Sequence, residues 1–410
     1  MNNKLLILGN GFDLHLHLKS GFNSFLKSLI NEYPIASSLF GDISSSNHPE
    51  RFKTSGNSYL NPIDYIKSYT EYVFYKSDEK AIPTNSNLNF WHLYFNMLKE
   101  FPEFDNGDAI FSENNASISL NNWNDIEFQI QYILEISEGI INKYKECIYD
   151  NLEYADGHAY SNETKTLLKE YESMFMRDDR ITFNGVLCMH LIYFSLLSGW
   201  SPYQNIYDFL LKELEDFEIT FKDYLKKQIS NTDYEFRANS FAEDLAGKNY
   251  NLINFNYTTF YDLNDESKTN IHSTLDDNGH PIFGISSVTN DELVYKKPYY
   301  KFSKTFRIMK IAEYDKNTLP DNIDEIIFYG HSLSHADYSY FEAIMKKYNV
   351  LNSDIILTFK YSNFENEGIQ HDELPNQITN VYKLLNNIIK SNDSIFEYLI
   401  MDKRIRFQKI

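Results

Sequence analysis

Read for its apolar and polar positions, the chain opens with a run that breaks sharply, Leu5-Leu6-Ile7-Leu8 being followed at once by Gly9-Asn10-Gly11. Such a run ending in two glycines predicts a buried strand that turns tightly into a helix. Phe22, Phe25, Leu26, Leu29 and Ile30 then recur at helical spacing. Residues 36–61, rich in Ser, Asn and Gly, read as a long loop. From 62 to 235 the period is helical, broken by polar stretches near 101–122 and 150–165. Its clearest stripe is Ile206, Leu210, Leu214, Phe217, Phe221 and Leu225. We read this region as an all-helical insertion.

Strand signals return at 250–255, with short ones at 269–272 and 281–284. Residues 325–329 precede a helix carrying Phe341, Ile344 and Met345, and residues 354–359 precede one carrying Ile378, Val381, Leu385 and Ile388. Strands alternating with helices predict an α/β fold with a mainly parallel sheet. The sheet is expected to be split: residues 1–35 and 248–410 form the core, and 62–235 interrupt it.

Composition narrows the class. The 410 residues are 42% apolar with 32 Tyr and 31 Phe, enough for a sizeable core. A formal charge of −20 disfavours general binding to nucleic acid or to an anionic membrane. Cys147 and Cys188 are too few for a disulfide framework or a four-thiolate zinc site, which fits a reducing cytoplasm. The apolar run after Lys4 is too short for a signal-peptide core, and residues 186–200, interrupted by His190, fall short of the roughly 20 residues a bilayer demands. That stretch reads as a buried helix.

Three strand ends carry polar residues where the ligand crevices of α/β sheets form: Asn10 and Asp13, Asn256 and Thr258, and His331 and Ser332. Singly, each has a capping or turn role; together they mark a candidate site. Gly9 and Gly11 suit close approach of backbone N–H groups to a phosphate at a helix N-terminus, although Leu14 stands at the third glycine of the dinucleotide fingerprint. His272 ends a short strand and is a candidate acid/base; His15 and His17 fall on opposite sides of a helix, and no metal is expected. Trp123-Asn124-Asp125-Ile126-Glu127 opens a helix with Ile130, Ile133 and Leu134 on one face, where Glu127 serves either the helix dipole or a site. Residues 294–310 hold Lys296, Lys297, Lys301, Lys304, Arg307 and Lys310 with no acidic residue. This segment suits phosphates of a nucleotide, nucleic acid, or an acidic face of another subunit, and the sequence does not choose among them.

Several of these blocks resemble the bacteriophage abortive-infection AbiH family. They are Ile7-Leu8-Gly9-Asn10-Gly11-Phe12-Asp13-Leu14, Trp123 to Glu127, Asn254-Phe255-Asn256-Tyr257-Thr258, Ile271-His272, Phe302-Ser303-Lys304-Thr305, and Tyr329-Gly330-His331-Ser332-Leu333 with Asp337. The resemblance implies phage defence in which the infected cell dies or stops growing. The blocks are also similar, more distantly, to sirtuin-like NAD-consuming domains, which implies a Rossmann-like core. By that similarity Asn256 and His272 are the catalytic pair. Gly9, Asn10, Gly11, Phe12, Asp13, Ser20, Gly21, Tyr257, Thr258, Gly330, His331 and Ser332 line the nucleotide. Ser273 stands where the sirtuin glycine would be, Thr258 where its acidic residue would be, and the four zinc cysteines are missing. This argues against protein deacetylation and leaves NAD glycohydrolysis, with NAD as substrate rather than resident cofactor. The implied effector is gated, through homo-oligomer assembly, a phage-derived trigger or a co-encoded protein. Its rivals are a nucleotide-binding sensor without turnover and a toxin directed at nucleic acid.

Overall fold

The computed structural model describes residues 3–32, 206–230, 232–261, 267–276, 279, 281–286, 288–289, 292–311, 319–333, 337–366, 369–389 and 395–410, with short stretches at 52–53, 59–60, 90–92, 94–95, 126–135, 137, 176–177 and 180–181. Most of the expected helical insertion and of the 36–61 loop, and the apolar stretch 186–200, lie outside these residues. The chain divides into two compact units, Met1–Gly21 with Phe221–Ile410, and Phe22–Thr220.

The first unit is built on six strands: β1 (Lys4–Leu8), β2 (Asn251–Asn254), β3 (Lys268–Asn270), β4 (Glu325–Tyr329), β5 (Ile356–Tyr361) and β6 (Ile405–Lys409). They pair in the order β6-β5-β4-β1-β2-β3, and every pairing is parallel. Its helices are α1 (Gly11–His15), α4 (Tyr234–Ala246), α5 (Lys304–Ile311), α6 (Tyr338–Lys347), α7 (Leu374–Ile389) and α8 (Ile395–Met401), after α2 (Phe22–Glu32) and α3 (Ile206–Ser230) are counted in chain order.

The apolar run of β1 reads without alternation because both of its faces are covered. Leu5 and Ile7 join Ile326, Phe328, Leu357 and Phe359 in a cluster with Phe341, Ile344 and Met345 of α6 and Val381, Leu384 and Leu385 of α7. Leu6 and Leu8 face the other way and pack with Tyr234, Ala238, Ala242 and Leu245 of α4. The strand period of two sends successive side chains into different clusters. β1 sits between β2 and β4, so the connections leaving β1 and β4 part in opposite directions at their carboxyl ends, where open α/β sheets form crevices.

Two expectations change. Residues 281–284 form no strand; the isolated bridge to Ser303 is made by the next residue, Ile285. The carbonyls of Ile282 and Phe283 are taken instead by the Tyr257 hydroxyl (3.0 Å) and Arg307 Nη1 (2.7 Å). Strand β6 was not expected, because Arg406, Gln408 and Lys409 dilute its pattern; such polar residues suit an edge strand.

In the second unit, Phe22, Phe25, Phe95 and Phe217 meet edge-on or tilted in an aromatic core. Trp91 Nε1 donates to the Leu210 carbonyl at 2.9 Å. The helical stripe from Ile206 to Leu225 is buried as its spacing requires, as are Ile130, Ile133 and Leu134. The short antiparallel pairs Phe52–Lys53 with Tyr59–Leu60 and Met176–Arg177 with Arg180–Ile181 were not foreseen. Among the described residues no helix is long and apolar enough to cross a membrane.

Candidate functional site

The turn after β1 and the turn after β4 are wedged against each other. Gly9 N–H donates to the Tyr329 carbonyl (3.1 Å), Gly11 N–H to the Gly330 carbonyl (2.7 Å) and Phe12 N–H to the Gly9 carbonyl (2.9 Å). A Cβ on Gly9 would lie 2.5 Å from His331 Cα, and one on Gly11 2.7 Å from Gly330 Cα. Gly330 adopts a φ of +68°. The glycines therefore let two backbones meet: the Gly9 and Gly11 amides, expected to face a phosphate, join the turns, and the Phe12 amide closes the first turn on itself.

The loop after β2 is fixed to the same turn. Asn256 Nδ2 donates to the Gly9 carbonyl (3.0 Å), and Asn256 N–H to Asn254 Oδ1 (3.0 Å). Asn254 Nδ2 reaches the Thr258 carbonyl at 2.8 Å, and Asn270 Nδ2 the carbonyls of Asn256 (2.7 Å) and Thr258 (3.0 Å). Asn254 and Asn270, at the ends of β2 and β3, thus hold Asn256 in place; the sequence reading missed both.

Asp13 and Thr258 turn inward. The Tyr234 hydroxyl donates to Asp13 Oδ1 at 2.5 Å, and Thr258 Oγ1 lies 3.1 and 3.0 Å from the two carboxylate oxygens. Burial pushes the Asp13 carboxyl up to about 7 against these two bonds, which act to lower it. Phe12 is buried between Phe241 and Phe260. These three side chains therefore bind the protein's own interior. Asn10 Oδ1 accepts from the Ser20 hydroxyl (2.6 Å), and a Cβ on Gly21, the next residue, would meet Leu14 Cδ2 at 4.0 Å. Tyr257 is half-buried, and Ser332 is exposed.

The densest chemistry surrounds Asp337, the residue preceding α6. Lys304 Nζ, from the first residue of α5, donates to Asp337 Oδ1 at 2.9 Å. His272 Nε2 lies 3.5 Å from the same Oδ1, and His331 Nε2 3.6 Å from Oδ2. All four side chains are buried. Phe255 meets both imidazoles edge-to-face, with centroids 5.3 Å and 4.7 Å away. His331 Nδ1 accepts the Leu333 N–H (2.9 Å), so the neutral ring carries its proton on Nε2, toward Asp337.

Burial, then the Lys304 charge, lowers His272 to about 3, and Asp337 only partly restores it. Burial likewise lowers His331 to about 4, with Asp337 opposing and Lys304 assisting. For Asp337, burial pushes upward, but Lys304, His272 and His331 outweigh it and hold the carboxyl below its usual range. At neutral pH the cluster is one ion pair flanked by two neutral imidazoles. Among the described residues no group of three or more His, Cys, Asp and Glu side chains is placed to hold a metal ion.

The structure thus brings together His272 and His331 through Asp337, and Asn256 with Gly9. Lys304 and Asp337 were visible only as parts of a basic segment and of a resembling block. That segment is not one cationic face: Lys304 and Arg307 are buried, Lys297 and Lys301 are half-buried, and Lys296 and Lys310 are exposed.

The family model described as Bacteriophage abortive infection AbiH matches residues 5–361. No curated protein and no solved structure matches the chain.

Proposed function

The chain belongs to the bacteriophage abortive infection AbiH family, and from that premise we propose that it is a cytoplasmic antiphage effector that hydrolyses NAD to nicotinamide and ADP-ribose when triggered. One observation carries this reading. The glycine turn after β1, Asn256 after β2, His272 after β3 and His331 after β4 all lie at the carboxyl edge of one parallel sheet wound 3-2-1-4-5-6. That strand order is the one used by Rossmann dinucleotide folds, and that edge is where they bind. Ser273 supports the sirtuin-like part: its φ of +77° is a backbone conformation that a glycine takes without strain.

In the proposed reaction the nicotinamide–ribose bond breaks, nicotinamide leaves with the bonding pair, and water adds to the cation-like sugar carbon, releasing a proton. Asn256, anchored through Nδ2 to Gly9, presents Oδ1 to a ribose hydroxyl or to the water. His272 is neutral at pH 7, the state that accepts the proton, and the Asp337 carboxylate stabilises the imidazolium so formed. An NADase active at all times would kill its host, so turnover waits on assembly or on a phage component.

A second reading, nucleotide sensing without turnover, is favoured by the weak basicity of His272 and by the tie of Thr258 to Asp13. The nucleic-acid reading loses support because Lys304 and Arg307 are buried.

The test is nicotinamide release by the purified protein beside His272→Ala and Asn256→Ala, each checked for fold by circular dichroism, and in expressing cells with and without phage. Turnover in the parent that both variants lose is expected. NAD left intact by the protein and in infected, protected cells sinks the glycohydrolase reading; ADP-ribose binding without turnover then selects the sensor.

A further inference from the structure

An ammonium and an imidazole compete for one carboxylate oxygen in this site. Lys304 Nζ holds Asp337 Oδ1 at 2.9 Å, and His272 Nε2 stands 3.5 Å from that oxygen without a hydrogen-bond partner although it is buried. A buried polar nitrogen left unpaired is costly, and the carboxylate that accepts from it once it is protonated is within a small movement of it. Lysine is a point charge on a flexible stem and also a phosphate-binding group, so it is the member of the cluster best able to change partner. His331 Nε2 faces the other oxygen, and its Nδ1 is fixed by Leu333. The other groups facing His272 are the Phe255 carbonyl, which accepts from the imidazole and favours its protonated form, and the rings of Phe255, Tyr257, whose hydroxyl is bound to Ile282, and Tyr340.

We propose that Lys304 is a displaceable counter-ion: a phosphate of the bound nucleotide draws Nζ off Asp337 Oδ1 and leaves that oxygen to His272. Asp337 is then the positioning residue of the base. The inference rests on the nucleotide reading of the site and adds two residues to it. With Nζ on Asp337 Oδ1, the ammonium suppresses His272 through space and occupies the oxygen nearest it. With Lys304 on the phosphate, a proton taken up at His272 Nε2 is donated to a full carboxylate while Nδ1–H holds the Phe255 carbonyl, so the basicity of His272 rises when substrate is present.

The experiment follows the His272 imidazole by NMR in the full chain with labelled histidine, its resonance assigned by His272→Gln. The parent is titrated from pH 3 to 8 alone, with ADP-ribose, and with inorganic pyrophosphate; Lys304→Met and Lys304→Arg are titrated alone. Either phosphate compound is expected to raise the His272 midpoint by about one pH unit or more, the size of effect that an opposite charge at contact distance exerts. Lys304→Met should raise it without ligand, and Lys304→Arg should restore the parent value. A His272 midpoint that neither compound moves in the parent overturns the proposal, and this arm needs no variant to fold. A folded Lys304→Met protein with an unchanged midpoint overturns it too. If the midpoint responds but NAD is never cleaved, the glycohydrolase reading has failed and the counter-ion proposal stands.

Discussion

Tyr234 and Asp13, 221 positions apart in sequence, share a 2.5 Å hydrogen bond in the interior of the sheet unit. The carboxyl it serves is raised to about 7, first by burial. An acid whose folded pKa lies above its unfolded value binds its proton more tightly when folded, so stability falls as pH rises from about 4 to about 7. Asp13→Asn keeps an acceptor for Tyr234 and should remove that decline, worth on the order of 3 to 4 kcal/mol for a shift of roughly three units. Urea unfolding at pH 5 and pH 8 measures it. Tyr234→Phe should push the window upward, because the lost bond had lowered the carboxyl.

Gly330 separates conformational strain from collision. Its φ is +68°, and a Cβ there would stand 2.3 Å from Phe12 N. Gly247, just beyond α4, has a φ of +87°, and among the described residues nothing lies within 4 Å of a Cβ placed there. Gly247→Ala should cost roughly 1–3 kcal/mol from the backbone alone, since its ψ of 178° puts it in a region that only glycine enters readily. Gly330→Ala should cost at least about 2 kcal/mol more, since backbone must shift on both turns. Equal losses of melting temperature would contradict the close approach of the two turns.

The Lys304–Asp337 pair is buried, with side chains 4% and 10% exposed. Removing one partner strands a charge, a loss of roughly 3–5 kcal/mol. Lys304→Met and Asp337→Leu should each destabilise by that order, while the double variant should recover most of the loss. A double-variant loss equal to the sum of the single losses would show that the two groups do not interact.

The histidines act on stability in the opposite sense to Asp13. His272 and His331 are lowered from 6.5 to about 3 and about 4, so the unfolded chain takes up protons that the folded chain refuses. Stability present above pH 6.5 is therefore lost as pH falls toward 4. In an Asp13→Asn background, which removes the opposing trend, His272→Gln should make guanidinium unfolding midpoints at pH 7 and pH 5 more nearly equal.

Much of this architecture follows from local pattern. The run Leu5 to Leu8 before Gly9, and residues 325–329 before Gly330, announce buried parallel strands and their tight ends. The stripe from Ile206 to Leu225 announces its helix. Period and turn chemistry act over a few residues, so a linear reading finds them. It also locates Asn256, His272 and His331, because strand ends in an alternating α/β chain share one edge. The same reading overextends at 281–284, where apolar residues are buried but side chains satisfy the backbone. It misses β6, where an edge strand needs only half a pattern.

The sequence by itself determined a parallel α/β core, the edge on which its polar residues gather, and its family. Only the tertiary structure decided which of those residues act together. It turned Asp13 and Thr258 inward to Tyr234, used the glycine amides to join two turns, and set Lys304 and Asp337 between the histidines. Lys304 and Asp337 are 33 positions apart, one opening α5 and the other preceding α6, and nothing in either local pattern names the other. Hydrophobic period is written along the chain, whereas the pairing of buried charges is a property of the space in which distant segments meet.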